Sequence, residues 1–368
     1  MSTRIQRRGG TASEHEAFTG APREITVDTT NNSLRLHDGV TPGGHPVLMK
    51  RETGELGGYR NKIINGDFDI WQRGDTGFTS AGYCADRWYW RPSTGGTGSV
   101  ARSGIYPEGI SEIPGAPRNF IRIDHTAAGT ESCYLEQRVE GVETLAGQEA
   151  TMTAYVKPDA ATDVAVDLIQ SFGTGGTPSA PVQVEVLPVM SCPSGGWSKL
   201  QVRLTLPSVA GKTLGSDGND YVALRFSFDP AAVFTLRMTH VSLVNGDATA
   251  ADDSFEPRHK QQELALCQRY YKQLGAGLSG VIASTVQVLF SDAFESKMRS
   301  APTITLLDSA PYIGSAGSTY TGSSSVIDDS GTSKLGFYAR VNGFSGLTGG
   351  NMAYVRQLTS VFAFDAEL

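Results

Sequence analysis

From Thr151 to Thr239 the chain alternates between apolar and polar positions. Met152, Ala154 and Val156 face one way, and Thr151, Thr153, Tyr155 and Lys157 the other. Val164, Val166 and Leu168 alternate with Ala165 and Asp167. Leu200, Val202, Leu204 and Leu206 alternate with Gln201, Arg203 and Thr205. Two later runs repeat the pattern: Val222, Leu224, Phe226 and Phe228 against Tyr221, Arg225 and Ser227, then Phe234, Leu236 and Met238 against Thr235 and Arg237. A period of two with one apolar face predicts half-buried antiparallel strands. Glycine-rich stretches at 173–176, 195–196 and 215–220 separate the runs as turns. The pattern predicts an all-β protein whose central part is a two-sheet sandwich or jelly roll.

The stretch 61–90 leads into that sandwich. Ile63 and Ile64 enter a turn at Asn65-Gly66-Asp67, followed by Phe68, Ile70 and Trp71. Beyond a loop, Trp88 and Trp90 share one strand face and Tyr89 takes the other. Large aromatics at both ends of a loop either close a sandwich or form a flat platform. Core closure comes first, because most buried aromatics are core.

Upstream, residues 3–9 form a short basic strand and 13–18 one helical turn with a Ser13 cap. Glu24 to Asp28 alternates as a strand. Asn31-Asn32 makes a turn, Leu34 and Leu36 continue the return strand, and Asp38-Gly39 with Pro42-Gly43-Gly44 ends the unit. That segment is too small to bury a core alone. After the sandwich, Leu264, Cys267, Tyr271 and Leu274 form a helical stripe over 257–274, closed by Gly275-Ala276-Gly277. Strands follow at 281–290, 335–340 and 354–367. Serine- and glycine-rich hairpins lie between at 308–334.

Composition narrows the class. Charged residues make up only 19% of 368, and 43 glycines supply turns rather than helices. The net charge of −7, without a concentrated basic face, argues against a nucleic-acid partner. Cys84, Cys133, Cys192 and Cys267 stand far apart and form no metal-ligand spacing, so free buried thiols are expected. The first ten residues lack an apolar core, so no signal peptide is expected, and no apolar run reaches a membrane span. The expected place of synthesis is a reducing cytoplasm.

Several stretches resemble known families. Asn61-x-Ile63-Ile64-Asn65-Gly66-Asp67-Phe68-x-Ile70-Trp71-Gln72-Arg73-Gly74, followed by Ala85-Asp86-Arg87-Trp88, resembles the opening of the carbohydrate-binding-module-like jelly roll of bacteriophage tail-fibre and receptor-binding proteins. Leu135-x-Gln137, Leu145-x-Gly147, Val156-Lys157 and the exit Ser254-Phe255-Glu256-Pro257-Arg258 resemble later elements of that domain. Glu263-Leu264, Cys267-Gln268-Arg269-Tyr270-Tyr271-Lys272 resembles its linker. Phe294, Met298-Arg299 and Pro302-Thr303-Ile304 resemble an element near the ends of phage fibres, with Glu295 in place of a proline. At the other end, Ile5-Gln6, Arg8, Gly10-Thr11, Glu24-Ile25 and Asp38-Gly39-Val40-Thr41-Pro42 resemble the N-terminal module of phage tail and fibre proteins. Gly9 and Arg23 depart from its pattern. The resemblance implies a particle-attachment and trimerisation module over 1–57, a carbohydrate-binding-like jelly roll over 58–256, a linking helix over 257–276 and a receptor-facing β domain over 277–368. It implies a homotrimer in the virion of a phage, a phage-like particle or a gene transfer agent, as a tail or head fibre. Other virion proteins would meet its N-terminus, through Arg4, Arg7, Arg8 and Asp38.

Sugars are held by aromatic faces stacking on C–H groups and by polar side chains bonding hydroxyls. The residue types suited to this are Trp88, Trp90, Tyr155, Lys157, Arg225, Arg237, Tyr312 and Tyr320. For each, the plainer alternative is core, loop packing or a solvated strand face. Asp67, Asp69 and Asp86 are read as turn-bonding groups rather than calcium ligands. No cofactor is expected. No pair of carboxylates, catalytic triad or phosphate-binding glycine loop can be singled out, so the chain is expected not to be an enzyme. The expected function is attachment to host surface polysaccharide. The alternatives are a depolymerase acting in a trimer cleft and a purely architectural head or tail adaptor.

Overall fold

The structure, a computed structural model, describes residues 7–30, 33–47, 60–104, 110–251, 253–357 and 359–368. The chain divides into two compact units, residues 1–60 and 61–368.

The first unit is a four-stranded sheet in the order Gly9–Gly10, Ile25–Asp28, Ser33–Leu36, His45–Val47. Within the described residues, the expected basic strand is reduced to Gly9–Gly10, which pairs parallel with Val27 and Asp28. The expected Asn31-Asn32 turn lies outside the described residues. The helix is Ala12–Glu16, and its cap is Thr11 rather than Ser13. Thr11 Oγ1 accepts from the Glu14 N–H at 3.2 Å, and the Glu14 carboxylate accepts from the Thr11 N–H at 2.7 Å. This reciprocal capping box satisfies two otherwise orphaned donors. The unit also continues past Gly44 into a further strand, His45–Val47.

Among the described residues, its buried side chains are polar. The Gly20 N–H donates to His37 Nδ1 at 3.2 Å, so Nε2 of that ring carries the proton and donates to Thr26 Oγ1 at 2.9 Å. The Thr26 hydroxyl then donates to His15 Nε2 at 2.8 Å, and His15 Nδ1 donates to Thr11 O at 2.9 Å. Each tautomer follows from its neighbour.

The second unit opens with the jelly roll. Its five-stranded sheet runs Ser198–Thr205, Glu149–Pro158, Phe234–Asn245, Phe120–Ala127, Thr97–Ser103. Its six-stranded sheet runs Val182–Cys192, Thr162–Ser171, Tyr221–Phe228, Cys133–Glu140, Trp88–Arg91, Gly82–Tyr83. All neighbours are antiparallel. The alternating apolar residues meet between the sheets, with Met152, Leu168, Leu224, Phe226, Leu236 and Leu243 all fully buried. The four cysteines are free and buried. Burial pushes the Cys84 and Cys133 thiols up to about 12.

The linking helix is shorter than its stripe suggests, spanning Lys260–Gln268. Tyr271–Leu274 is instead a strand, because it pairs with Phe362–Asp365. Tertiary pairing overrides the helical period there. A three-stranded sheet, Tyr271–Leu274, Phe362–Asp365, Thr303–Leu306, shares one apolar core with a seven-stranded sheet. The seven run Ser318–Thr321, Tyr312–Ser315, Met352–Val355, Ser279–Ser284, Gln287–Ala293, Gly336–Val341, Ile327–Thr332. The single strand expected at 281–290 is a hairpin of Ser279–Ser284 with Gln287–Ala293.

Side chains of the stretch 61–90 tie this terminal β part to the jelly roll. The Arg73 guanidinium lies 3.6 Å over the Tyr271 ring, and Arg87 lies 3.4 Å over Tyr270. Arg73 approaches Asp365 at 3.3 Å and Glu367 at 3.5 Å, and Arg87 pairs with Glu367. Arg269 meets Glu140 at 2.8 Å, and Tyr83 Oη donates to Leu368 O at 2.8 Å. Arg299 donates to Ala366 O at 2.7 Å and to Gly218 O at 3.3 Å.

Candidate functional site

Trp88 and Trp90 are fully buried. Trp88 packs 5.0 Å from Phe68 and 6.4 Å from Phe226, and its Nε1 donates to Asn65 O at 3.0 Å. The pair closes the sandwich and offers no platform, because alternation turns both rings inward.

The outer face of the five-stranded sheet is polar in sequence yet mostly covered. Thr151 Oγ1 donates to Gly246 O at 2.7 Å and accepts from the Ala248 N–H at 2.9 Å. Thr239 Oγ1 donates to Asn119 O at 2.8 Å. Tyr155 is buried among Ile110, Ile113, Phe120 and Trp197. Tyr155 is therefore not a free stacking ring: the segment leading into Phe120–Ala127, together with Trp197 just before Ser198–Thr205, packs against it. Lys157 and Arg237 face each other in register at the open end of this face. Arg237 is engaged with Asp159 at 2.5 Å.

The outer face of the six-stranded sheet carries a ladder of tyrosines and arginines around one carboxylate. Glu136, fully buried, accepts from Arg138 Nε at 2.8 Å and from Arg225 Nη2 at 2.7 Å. Arg225 lies 4.0 Å over the Tyr134 ring, and Arg138 lies 4.9 Å over Tyr221. Arg225, half-buried, thus spends its charge on the buried Glu136 and is corrected from sugar ligand to structural partner.

Among the described residues, a partly open hollow of about 250 Å³ lies where the jelly roll meets the linking helix. Asn65, Asp67, Asp69, Phe255, Lys260 and Glu263 are among its lining residues. Behind it His240 takes a left-handed backbone, φ +56°, at a β-bulge against Glu149–Pro158. The bulge aims its ring at Asp67, 2.9 Å from Nδ1, and Asp253, 3.1 Å from Nε2. Burial alone would lower the imidazole pKa, but the hydrogen bonds to Asp253 and Asp67 outweigh it and raise it to about 9. The remaining carboxylates read as turn-bonding are engaged too. Asp69 accepts from Asn119 Nδ2, and Asp86 accepts from the Gln72 N–H at 2.7 Å. Among the described residues no cluster of His, Cys, Asp and Glu is arranged to hold a metal ion.

In the terminal β part, Tyr320 pairs with Ile313 and packs on the apolar core, so it is not a loop ring. Tyr312 is exposed, with Arg356 6.0 Å over its ring. Sequence reasoning missed two exposed tyrosines beside it in the sheet, Tyr338 and Tyr354. The alternation Phe337, Tyr338, Ala339 and Ala353, Tyr354, Val355 was the available signal. In the first unit, Arg8 lies 4.8 Å over Phe18 and 3.5 Å from Glu24, and Arg7 is exposed. Arg4 lies outside the described residues. Asp38 accepts from the Thr41 hydroxyl at 2.6 Å, from the Thr41 and Val40 N–H groups, and from His45 at 3.1 Å. Those bonds hold its carboxyl well below the usual range.

Residues 5–41 match the family described as the Major tropism determinant N-terminal domain. The chain is 60% identical over 47 residues to the tail fiber receptor-binding protein of Bordetella phage BPP-1. That match covers 13% of this chain and 12% of the relative, so the chain spans only a small part of that protein's length. Similar solved structures include a CBM4 structure, at 14% identity over 50% of this chain and 99% of that one, with TM-score 0.31. The CBM22-1 xylan-binding domain from Paenibacillus barcinonensis is 12% identical over 47% and 95% of the two chains, with TM-score 0.30. Tailspike protein 4 of bacteriophage CBA120 is 14% identical over 51% and 22%, with TM-score 0.32. Residues 5–41 are thus similar to the Major tropism determinant N-terminal domain. The jelly roll that follows in the chain is defined by its own strand order.

Proposed function

We propose that this protein is a non-catalytic fibre component of a phage or phage-like particle that attaches to host surface polysaccharide. The observation that carries the reading is the 60% identity over 47 residues to a phage tail fibre receptor-binding protein, beside the family match at residues 5–41. On this reading residues 1–57 join the particle, with Arg4, Arg7, Arg8 and Asp38 at the contact. The jelly roll over 58–256 and the helix over 257–276 carry a receptor-facing domain over 277–368. Lys157 and Tyr312 remain the sequence-selected residues open enough to meet a sugar, with Arg237 half-buried beside Lys157 in its pair with Asp159. The protein acts as a homotrimer in the virion. Weak contacts repeated over three chains and many fibres then give avidity without a tight single site.

The test is binding of the purified protein to host cells and to extracted surface polysaccharide, with an assay for released reducing ends. Binding without release supports the reading. Release makes the protein a depolymerase. Absence of binding leaves an architectural part.

A further inference from the structure

The register of the seven-stranded sheet aligns a single row of outward residues. Tyr354 pairs with Ser279. The Gly280–Phe290 and Val281–Leu289 pairs put Ser279 opposite Ser291, and Ser291 pairs with Tyr338. Beyond the two tyrosines, Tyr354 pairs with Gly314 and Tyr338 with Gly331. The row therefore reads glycine, tyrosine, serine, serine, tyrosine, glycine across six strands. Each ring leans outward onto its glycine. A Cβ on Gly314 would meet Tyr354 Cζ at 2.7 Å, and one on Gly331 would overlap the Tyr338 ring. Both rings remain open to solvent, Tyr354 at 46% and Tyr338 at 41%.

We propose that this row is a platform for a linear, hydroxyl-rich polysaccharide lying across the strands. The proposal rests on the glycan-attachment reading above and names its site. The two tyrosines lie three strand steps apart, roughly 14 Å, a span of several sugar units. Each ring, laid against the sheet over a residue with no side chain, presents a face to the C–H side of a pyranose. The floor between them is two exposed serines, Ser279 and Ser291, whose hydroxyls have no protein partner among the described residues. The neighbouring row is Met352, Val281, Leu289 and Arg340, an apolar strip with a guanidinium at its end. An open depression of about 490 Å³, lined in part by Ser291, Asp292, Ser333 and Leu335, adjoins the row. Stacking faces set around hydroxyls and without central charge fit a sugar chain. A second copy of the sheet would instead bury those serines against apolar atoms.

The experiment uses the full-length protein and a panel of immobilised capsular and lipopolysaccharide glycans. Tyr338→Ala and Tyr354→Ala are each expected to weaken binding about tenfold, with unchanged melting temperature and mass in solution. Ser279→Arg, which fills the floor, is expected to abolish it. If the wild-type protein binds and all three variants bind equally well, the platform is wrong while glycan attachment stands. If the wild-type protein binds no glycan, both ideas fail together. If either tyrosine variant loses mass in solution, the face is a contact between copies and the platform is overturned.

Discussion

His240 stands between two carboxylates, with Nδ1 2.9 Å from Asp67. Asp253 closes the other side, and the Phe255 ring stacks on the imidazole at 4.1 Å. A histidine whose folded pKa is raised from 6.5 to about 9 adds stability that is complete below the unfolded value. That stability is lost as pH rises through the folded value. The melting temperature is therefore expected to fall between pH 6.5 and about 9, with a total change on the order of 3 kcal/mol. His240→Gln should melt lower at pH 6 and show little slope over that window. An equally steep slope in the variant would remove His240 as the cause.

The chain from Thr11 through His15 and Thr26 to His37 gives a second prediction. Thr26 both accepts from His37 and donates to His15. Thr26→Val keeps the shape but leaves two buried ring nitrogens unpaired, at a cost of about 2 kcal/mol. Hydrogen exchange of the Ile25–Asp28 amides should accelerate, while exchange in the second unit stays as in the wild type. Thr26→Ser, which keeps the hydroxyl, should restore protection.

Trp88 separates a core role from a binding role. Trp88→Ala should destabilise the second unit by about 3–5 kcal/mol, read from chemical denaturation. Trp88→Phe should recover part of that loss, and its glycan affinity should equal the wild type wherever the protein is folded. A folded variant with selectively lost affinity would return Trp88 to a surface role.

Arg225 is expected to behave as the half-buried partner of a fully buried carboxylate. Arg225→Met leaves the fully buried Glu136 with Arg138 as its remaining charged partner, which should cost roughly 2–3 kcal/mol. Adding Glu136→Leu to that variant should recover most of the loss, as a double-mutant cycle would record. If the two changes simply add, the residues are not coupled.

The jelly roll was legible because its strands alternate cleanly and its turns are rich in glycine. Met152, Leu224 and Leu236 fall where the period of two puts them. The covered outer face was not legible, since Thr151 and Thr239 look like solvated residues until Gly246 and Asn119 supply their partners. The end of the linking helix failed for a related reason. Tyr271 and Leu274 continue a helical stripe, yet Phe362–Asp365, some ninety residues away, claims them for a sheet. Tyr338 and Tyr354 were visible as residues but not as a row. The row exists only through the register of six strands, and no local pattern fixes that.

The bonds between the last residues and the jelly roll bear on how the molecule carries force. A pull on the seven-stranded sheet reaches the jelly roll through the helix Lys260–Gln268, and also through Arg73 and Arg87 on Asp365 and Glu367. These links lie in parallel, so no single one takes the whole tension. Rupture requires several ion pairs to shear together rather than peel in turn. The second unit should therefore respond to stretching as a strut, with no soft hinge at its waist.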